Sequence, residues 1–303
     1  MTLDKIVAVV LAGGVKKFSF REFYHQMEDL FSYREWYFRR GYKSLKRIKV
    51  KRGVNGKPRP MIEYILNSLR NTECIDKILV VGPEKEIRER IDPELLSEGS
   101  NIELVEQKES FGQNLKEGYD RAGEKYVLFV TSDSPTTKEK DISEFIEICR
   151  ELYSEYDLIF PLVKEVLLKK YYKLFPRPFF RMIPDTTFPA GYIDEEDIRE
   201  DGRAGFRITS MAFANLEGFP VGRIDEAYNL RKFYRKSSRD KLKEIFGKNL
   251  IRRYRQGLRI SEIEKMFFNY EGLRLKIVGL SGAGASLDVD SRRDEKKFND
   301  LYL

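Results

Sequence analysis

Length, composition and charge limit the classes of protein to which this chain can belong. Of its 303 residues, 41% are hydrophobic and 35% are charged, which excludes a disordered chain because disordered segments have too few apolar residues to bury. No apolar run reaches the roughly 20 residues of a membrane-spanning helix, and the first residues lack a secretion signal, so we expect no membrane partner. The net charge of +7 suits either nucleic acid or polyphosphate ligands.

The first predicted element is a strand. Ile6 to Leu11 is a continuous apolar run rich in β-branched residues, which is typical of a strand buried on both faces of a parallel sheet. Further predicted strands cover Lys77–Val81, Ile102–Glu106, Tyr126–Thr131 and Leu158–Val163, and predicted helices cover Met61–Leu69, Glu84–Arg90, Asn114–Ala122 and Ile142–Tyr153. This alternation indicates a doubly wound, mostly parallel α/β sheet, in which ligands bind at the carboxyl ends of strands.

Two segments interrupt the alternation within what we expect to be a single domain, residues 1–303. Residues 15–53 form a basic insertion with a predicted helix over Phe20–Arg40, and residues 164–269 form an insertion that we expect on the acceptor side. The second insertion contains predicted helices near Glu226–Phe246 and over Ile260–Phe268. A short strand at Leu275–Val278 and a final helix at Arg292–Leu301 complete the prediction.

Candidate functional residues follow two of the predicted strands. Gly13 and Gly14 come directly after the first strand, where glycines let the backbone approach a ligand and direct N–H groups toward phosphate oxygens. An ordinary tight turn would have the same residues. Asp133 comes just after Tyr126–Thr131, and Mg²⁺ prefers one or two carboxylates together with substrate phosphates. Alternatively, Asp133 caps a helix that begins near Thr137, or it simply terminates the strand.

A second pair of carboxylates lies near the C-terminus. Asp288 and Asp290 alternate along an extended piece, so their side chains point to opposite sides and one of them faces the site. The alternative is a polar turn before the final helix. Because His25 is the only histidine and the two cysteines, Cys74 and Cys149, lie far apart, we expect a reduced, cytoplasmic protein whose chemistry rests on carboxylates, lysines and metal.

Several motifs together resemble those of a known family. They are Leu11-Ala12-Gly13-Gly14, Gly56-Lys57-Pro58 leading to Met61-Ile62-Glu63-Tyr64, Asn114, Asp133, and Asp288-Val289-Asp290-Ser291. In this order they resemble the nucleotidyltransferases of the glycosyltransferase-A-like fold, and in particular the group of molybdenum-cofactor guanylyltransferase. The chain departs from the family pattern by the extra residues Arg59-Pro60 and by the long insertion after Gly14.

The resemblance implies a Mg²⁺-dependent enzyme that transfers the nucleoside monophosphate of an NTP to a small phosphorylated acceptor, a sugar phosphate or phospho-alcohol, and releases pyrophosphate. It implies that Leu11, Ala12, Gly13 and Gly14 line the nucleotide, that Asn114 lies near the base or sugar, and that Asp133 holds Mg²⁺ with Asp288 or Asp290. Lys16 or Lys17 would contact phosphates, Lys49 would be the lysine that the family carries before Gly-Lys-Pro, and Arg181 would bind the acceptor phosphate. The alternatives are a solvated basic face for the lysines and an exposed position on a hairpin for Arg181. The aromatic and cationic stretch Lys169–Phe180 would be a lid or the contact of a homodimer.

Three other functions fit parts of the sequence. A glycosyltransferase that uses a sugar nucleotide shares the fold and metal, but such enzymes usually have two carboxylates in the strand-end motif and Ser132-Asp133-Ser134 has one. A nucleic-acid-binding protein would show a clustered cationic stripe, whereas most cations here alternate with acids, as in residues 85–90. A non-catalytic nucleotide-binding relative is compatible with the altered residues after Gly14.

Overall fold

The computed structural model describes most of the chain, with gaps in the two predicted insertions and near both ends. The described residues are 5–13, 42–48, 58–172, 179–185, 188, 192–220, 222–226, 252–253, 256–289, 294 and 298. Within these residues, nine strands form one sheet and two short strands form a separate pair. The predicted helices Phe20–Arg40, Glu226–Phe246 and Arg292–Leu301 lie wholly or largely outside the described residues.

Each strand predicted from an apolar run is present, with slightly different ends. The strands are β1 Ile6–Leu11, β2 Arg47–Ile48, β3 Arg59–Pro60, β4 Ile75–Gly82, β5 Ile102–Glu106, β6 Val127–Thr131, β7 Leu158–Lys164, β8 Phe180–Met182, β9 Ala204–Ile208, β10 Met211–Ala214 and β11 Leu275–Leu280. On β1, Ile6, Ala8 and Val10 belong to one hydrophobic cluster, and Val7 and Val9 belong to another. The run is continuously apolar because both faces of this strand are covered.

The helices agree with the predicted pattern except for the one at Glu165–Tyr172, which was not predicted, and two of them begin earlier than predicted. They are α1 Met61–Arg70, α2 Glu84–Arg88, α3 Phe111–Ala122, α4 Glu139–Leu152, α5 Glu165–Tyr172 and α6 Ile260–Glu271. α3 begins before the predicted Asn114 because Ser110 and Gln113 form a capping box that satisfies its first N–H groups. α4 has Lys138 as its N-cap, so the alternative that Asp133 caps this helix is wrong. No helix in the described part of the chain has both the length and the hydropathy of a membrane span.

The strand order places two predicted site segments side by side. The sheet runs β5-β4-β1-β6-β10-β7-β9-β8, and β5, β4, β1 and β6 are parallel to their neighbours in this series. The chain builds outward from β1 to β4 and β5 and then returns to place β6 on the other side of β1. This reversal between β1 and β6 is the point at which open α/β sheets bind ligands.

The segment 164–269, predicted as an insertion, contributes three strands to the sheet. β10 lies between β6 and β7 and is antiparallel to both, so β6 and β7 point in the same direction. β9 pairs with β7 near the carboxyl end of β7, and β8 pairs with β9. β11 is parallel to β7. The sequence prediction missed β8, β9 and β10, while the α/β class and the parallel half of the sheet are confirmed.

A glycine sets the distance between α3 and the sheet. A Cβ atom at Gly118 would overlap the side chain of Val9 on β1 and would lie 3.1 Å from Val81 on β4. The close approach places the N-terminal end of α3, which carries Asn114, beside the loop that follows β1. The packing of α3 therefore positions one side of the predicted nucleotide site.

We expect Gly118→Ala to lower the free energy of unfolding by about 1–2 kcal/mol, because overpacking a tight contact outweighs the roughly 1 kcal/mol gain in helix propensity. Urea unfolding measures the change. The control is Lys116→Ala on the same helix, which removes an ion pair with Asp120 and should cost no more than about 0.5 kcal/mol. A Gly118→Ala protein more stable than the wild type would contradict this account of the packing.

Candidate active site

The carboxyl ends of β1 and β6 bring the two predicted motifs together. The amide of Ser132, after β6, donates to the carbonyl of Leu11 at 3.3 Å, and the amide of Ala12 donates to the carbonyl of Val81 on β4 at 2.9 Å. Ala12 is buried, whereas Gly13 is exposed. The loop after β1 therefore leaves the sheet beside Asp133, as the sequence predicts; Gly14 lies outside the described residues.

Asp133 makes an ion pair that the sequence did not predict. Lys43 Nζ lies 2.9 Å from Asp133 Oδ2, and the hydroxyl of Thr131 donates to Asp133 Oδ1. The side chains of Lys43 and Asp133 are 29% and 27% exposed, so the pair lies in a partly open position that a ligand can reach. The two contacts orient the carboxylate at the end of β6, and Lys43 neutralises its charge.

Lys43 is held in place by the turn that contains it. Residues Lys43–Leu45 form a 3-10 turn in which Leu45 is buried, and the hydroxyl of Ser44 donates to the carbonyl of Ala12 at 3.0 Å. The next residues form β2, which pairs with β3 just before α1. The turn is thus attached on one side to the loop after β1 and on the other to the start of α1.

The C-terminal carboxylate segment also reaches Asp133. The amide of Val289 donates to the carbonyl of Asp133 at 2.8 Å. Leu287 and Val289 are buried, whereas Asp288 between them is partly exposed, as expected for an alternating extended segment. Asp290 lies outside the described residues, so the choice between Asp288 and Asp290 stays a prediction.

The acidic groups of the described residues suit a metal that also binds substrate. In that part of the chain, no group of three or more His, Cys, Asp or Glu side chains is arranged to hold a metal ion. Mg²⁺ does not need such a cluster, since it commonly takes one or two carboxylates and fills the rest of its shell with phosphate oxygens and water. Asp133 is a partly exposed carboxylate at the strand-order reversal, which fits the predicted metal role, and a metal there would displace the Lys43 ammonium.

Gly13 lies against two polar side chains. A Cβ at Gly13 would lie 2.9 Å from Gln107 Oε1 and 3.3 Å from Asn114 Nδ2, so only glycine leaves these amides undisturbed. Asn114 Oδ1 accepts from the amide of Lys108 at 2.6 Å, and Gln107 Nε2 lies 3.4 Å from the hydroxyl of Tyr42. The structure therefore brings the predicted Gly13 and Asn114 together and adds Gln107, which the sequence motifs did not single out.

Arg181, the predicted acceptor-binding residue, lies on β8 in a pair with Glu165. Both terminal nitrogens of its guanidinium donate to the two carboxylate oxygens of Glu165, the Nη2–Oε1 pair at 3.1 Å. Its guanidinium carbon lies 5.4 Å from the centre of the Phe179 ring. β8 and β9 are joined to the sheet near the carboxyl end of β7. Arg181 therefore belongs to the same edge of the sheet as Asp133.

Lys43 could not be identified from the sequence. The long insertion after Gly14 prevents a residue-by-residue match between this part of the chain and the family motif. Lys16, Lys17 and Lys49, the lysines chosen from the sequence, all lie outside the described residues. A usable signal was present near Lys43: Leu45 and Ile48 are spaced as the buried residues of a turn that precedes Gly-Lys-Pro, and both are buried. Neither feature identifies the ionic partner of a lysine, because that partner is 90 residues away.

Among known proteins, no family model matches this chain, and no curated protein matches it in sequence. Solved structures are similar to it over almost the full length. A hypothetical transferase from Thermus thermophilus is 17% identical, with a TM-score of 0.64 and coverage of 96% of this chain and 99% of that one. The 4-diphosphocytidyl-2C-methyl-D-erythritol synthase of Anaerococcus prevotii is 15% identical, with a TM-score of 0.50 and coverage of 98% and 96%.

A third similar structure is CMP:2-keto-3-deoxy-manno-octonic acid synthetase complexed with CTP. It is 10% identical, with a TM-score of 0.51 and coverage of 98% of both chains. At these identities the likeness shows the fold alone, and it confirms the predicted glycosyltransferase-A-like fold. The narrower assignment to the molybdenum-cofactor guanylyltransferase group stays a prediction.

We expect Ser44→Ala to lower the free energy of unfolding by about 1–2 kcal/mol, because it leaves the buried carbonyl of Ala12 without the Ser44 donor. Thermal and urea unfolding measure the loss. Ser97→Ala is the control, since the Ser97 hydroxyl donates to the carbonyl of Glu94 at an exposed position and its removal should change stability by less than about 0.5 kcal/mol. Equal effects of the two substitutions would show that Ser44 does not anchor the Lys43 turn.

Proposed function

We propose that this chain is a Mg²⁺-dependent nucleotidyltransferase that transfers the nucleoside monophosphate of an NTP to a small phosphorylated acceptor and releases pyrophosphate. One observation carries the proposal: Asp133, at the reversal of strand order, is paired with Lys43 and hydrogen-bonded through its carbonyl to the amide of Val289. A carboxylate, a lysine and a second acidic segment at such a point are the groups that phosphoryl transfer to or from a nucleotide requires.

We assign the metal to Asp133 together with Asp288 or Asp290. The support is the partly exposed carboxylate of Asp133 and the hydrogen bond that holds the Asp288 segment beside it. Bound Mg²⁺ would neutralise charge that develops on the phosphate oxygens during transfer. In this proposal the protein supplies the carboxylates in a fixed position, so they need not reorganise when the nucleotide arrives.

We assign to Lys43 the phosphate-binding role that the sequence predicted for Lys16 or Lys17. Its Nζ is already at Asp133, and the Ser44 hydrogen bond to Ala12 fixes its turn to the loop that would line the nucleotide. With a metal held by Asp133, the Lys43 ammonium would leave this carboxylate and bind a phosphate oxygen of the nucleotide. A lysine can make that exchange because it is a compact charge on a flexible stem.

The nucleoside is assigned to the other side of the loop after β1. The loop of Leu11, Ala12 and Gly13 leads toward Gln107 and Asn114. The side-chain amides of these two residues can donate hydrogen bonds to a base or a ribose and accept hydrogen bonds from it. Two of the structurally similar proteins are named for cytidine nucleotides, and one is complexed with CTP. These names support nucleotide transfer as the reaction and leave the base of this chain's NTP open.

The acceptor phosphate would attack the α-phosphorus of the NTP in line. Its new oxygen–phosphorus bond forms as the bond from the α-phosphorus to the bridging oxygen breaks, and pyrophosphate leaves with that electron pair. A phosphate monoester is largely ionised near pH 7, because its second pKa is about 6. No general base is needed to activate it, which agrees with a sequence that contains one histidine.

The test is pyrophosphate release by the full chain with each of the four NTPs, Mg²⁺, and a panel of sugar phosphates and phospho-alcohols. We expect release with one NTP and one acceptor, loss of release on removal of metal by a chelator, and recovery when Mg²⁺ is restored. Asp133→Asn should lower kcat at least about a hundredfold because it removes the charge that holds the metal.

Asp76→Asn is the matched control. Asp76 lies at the amino end of β4, at the opposite edge of the sheet, where it pairs with Lys5 in an exposed position. Its replacement should leave turnover unchanged. Wild-type turnover in Asp133→Asn would overturn the metal assignment, and release of a nucleoside diphosphate from a sugar nucleotide, without pyrophosphate from any NTP, would identify a glycosyltransferase instead.

A further inference from the structure

A second cationic group lies on the sheet edge that carries Asp133. Arg207 on β9 is opposite Val163, near the carboxyl end of β7, and its residue is only 6% exposed. Because β6 and β7 point in the same direction, the carboxyl ends of both strands lie on one edge of the sheet. Arg207 is thus a buried charge on the ligand-binding edge, and no sequence motif pointed to it.

Strand register places Arg207 beside Arg181. Arg181 is opposite Gly205, and residues 205 and 207 of one strand project to the same face. The two guanidinium groups share one aromatic ring: the Cζ atoms of Arg181 and Arg207 lie 5.4 and 4.7 Å from the centre of Phe179. Phe206, between them in register, projects to the opposite face and stacks on Phe188. The fold therefore gathers both arginines over Phe179.

The absence of a side chain at Gly205 leaves room for the side chain of Arg181 to cross β9. A Cβ at Gly205 would overlap both the guanidinium of Arg181 and the carboxylate of Glu165. Arg181 passes over β9 through this gap and reaches Glu165, the first residue of α5. Both side chains of this pair are 26% exposed, so the pair is open to a ligand from solvent, and Arg207 lies deeper at the same Phe179 ring.

The Glu165 carboxylate is the kind of group that a phosphate can replace. A guanidinium binds carboxylate and phosphate in the same bidentate geometry. A phosphomonoester carries about −1.5 to −2 charge near pH 7 and three acceptor oxygens, against one charge and two oxygens for Glu165. The phosphomonoester can therefore accept hydrogen bonds from two guanidinium groups at once. A single carboxylate has fewer acceptor oxygens and less charge for this purpose.

We propose that Arg181 and Arg207, gathered on Phe179, form one anion subsite for the phosphomonoester of the acceptor, and that Glu165 occupies this subsite until the acceptor replaces it. The proposal rests on the proposed function for the identity of the ligand. No bond is made or broken in this step, in which the phosphate exchanges with the Glu165 carboxylate on Arg181. Arg207 supplies the second guanidinium, and Phe179 keeps the two planes in place.

Substitutions of the arginines and of Glu165 should change phosphate binding in opposite directions. This result would distinguish the exchange from an ion pair that only stabilises the fold. Arg181→Met and Arg207→Met should each weaken phosphate binding about tenfold or more, because each removes charge-assisted hydrogen bonds. Arg207→Lys, which keeps the charge but loses the planar fork, should give a smaller loss. Glu165→Gln should strengthen phosphate binding several-fold, because it leaves a neutral competitor in the subsite.

The experiment is calorimetric titration of the full-length protein and its variants with inorganic phosphate, followed by KM for the acceptor and for NTP. The matched control is Glu262→Gln, which alters a similar pair between Glu262 and Arg253 on and beside α6. It should leave phosphate binding unchanged. Unfolding midpoints of all variants identify any that fail to fold, and Arg207→Lys then replaces Arg207→Met as the test of Arg207.

Phosphate binding unaffected by every arginine substitution, or weaker in Glu165→Gln than in the wild type, would overturn the subsite. The arginine variants should raise KM for the acceptor and leave KM for NTP unchanged; an equal rise in both would also contradict it. The two proposals fail separately. Pyrophosphate release that is indifferent to both arginines removes the subsite alone, whereas arginine-dependent phosphate binding without release from any NTP removes the transferase alone.

Discussion

The amide of Val289 donates to the carbonyl of Asp133, and this hydrogen bond joins two segments that lie far apart in the sequence. It can form because β11 and β7 are parallel and because the chain after β11 crosses the sheet edge toward β6. Ser210, before β10, supports the crossing by donating from its amide to the carbonyl of Ala285 at 2.8 Å. The proposed metal site of Asp133 and Asp288 or Asp290 depends on this connection.

The edge of the sheet around Asp133 carries paired charges of both signs. Lys43 neutralises Asp133, Glu165 neutralises Arg181, and Lys164 at the end of β7 contacts Asp194 and Asp197 at 3.1 and 2.8 Å. Partly buried charges need such partners, since desolvation without pairing is costly. In the proposed function, a polyphosphate substrate and its metal would enter by exchanging partners with these paired charges.

Much of the parallel half of the fold could be predicted from local sequence. The apolar run of β1 predicted a strand covered on both faces, and Gly13 and Asp133 were placed correctly at strand ends. These features depend on residues that are close together in the chain. The start of α3 could also have been read from Ser110 and Gln113, whose spacing is that of a capping box.

The sequence by itself determined the α/β class, the carboxyl-end position of Asp133 and Gly13, and the buried alternation that exposes Asp288 between Leu287 and Val289. Only the tertiary structure decided that β10 separates β6 from β7, that Lys43 reaches Asp133, and that Arg207 lies beside Arg181 over Phe179. The physical reason is the range of the contacts. Hydrophobic periodicity and turn residues act within a few positions, whereas strand pairing and ion pairs join residues tens of positions apart, and their partners are selected by how the whole sheet packs.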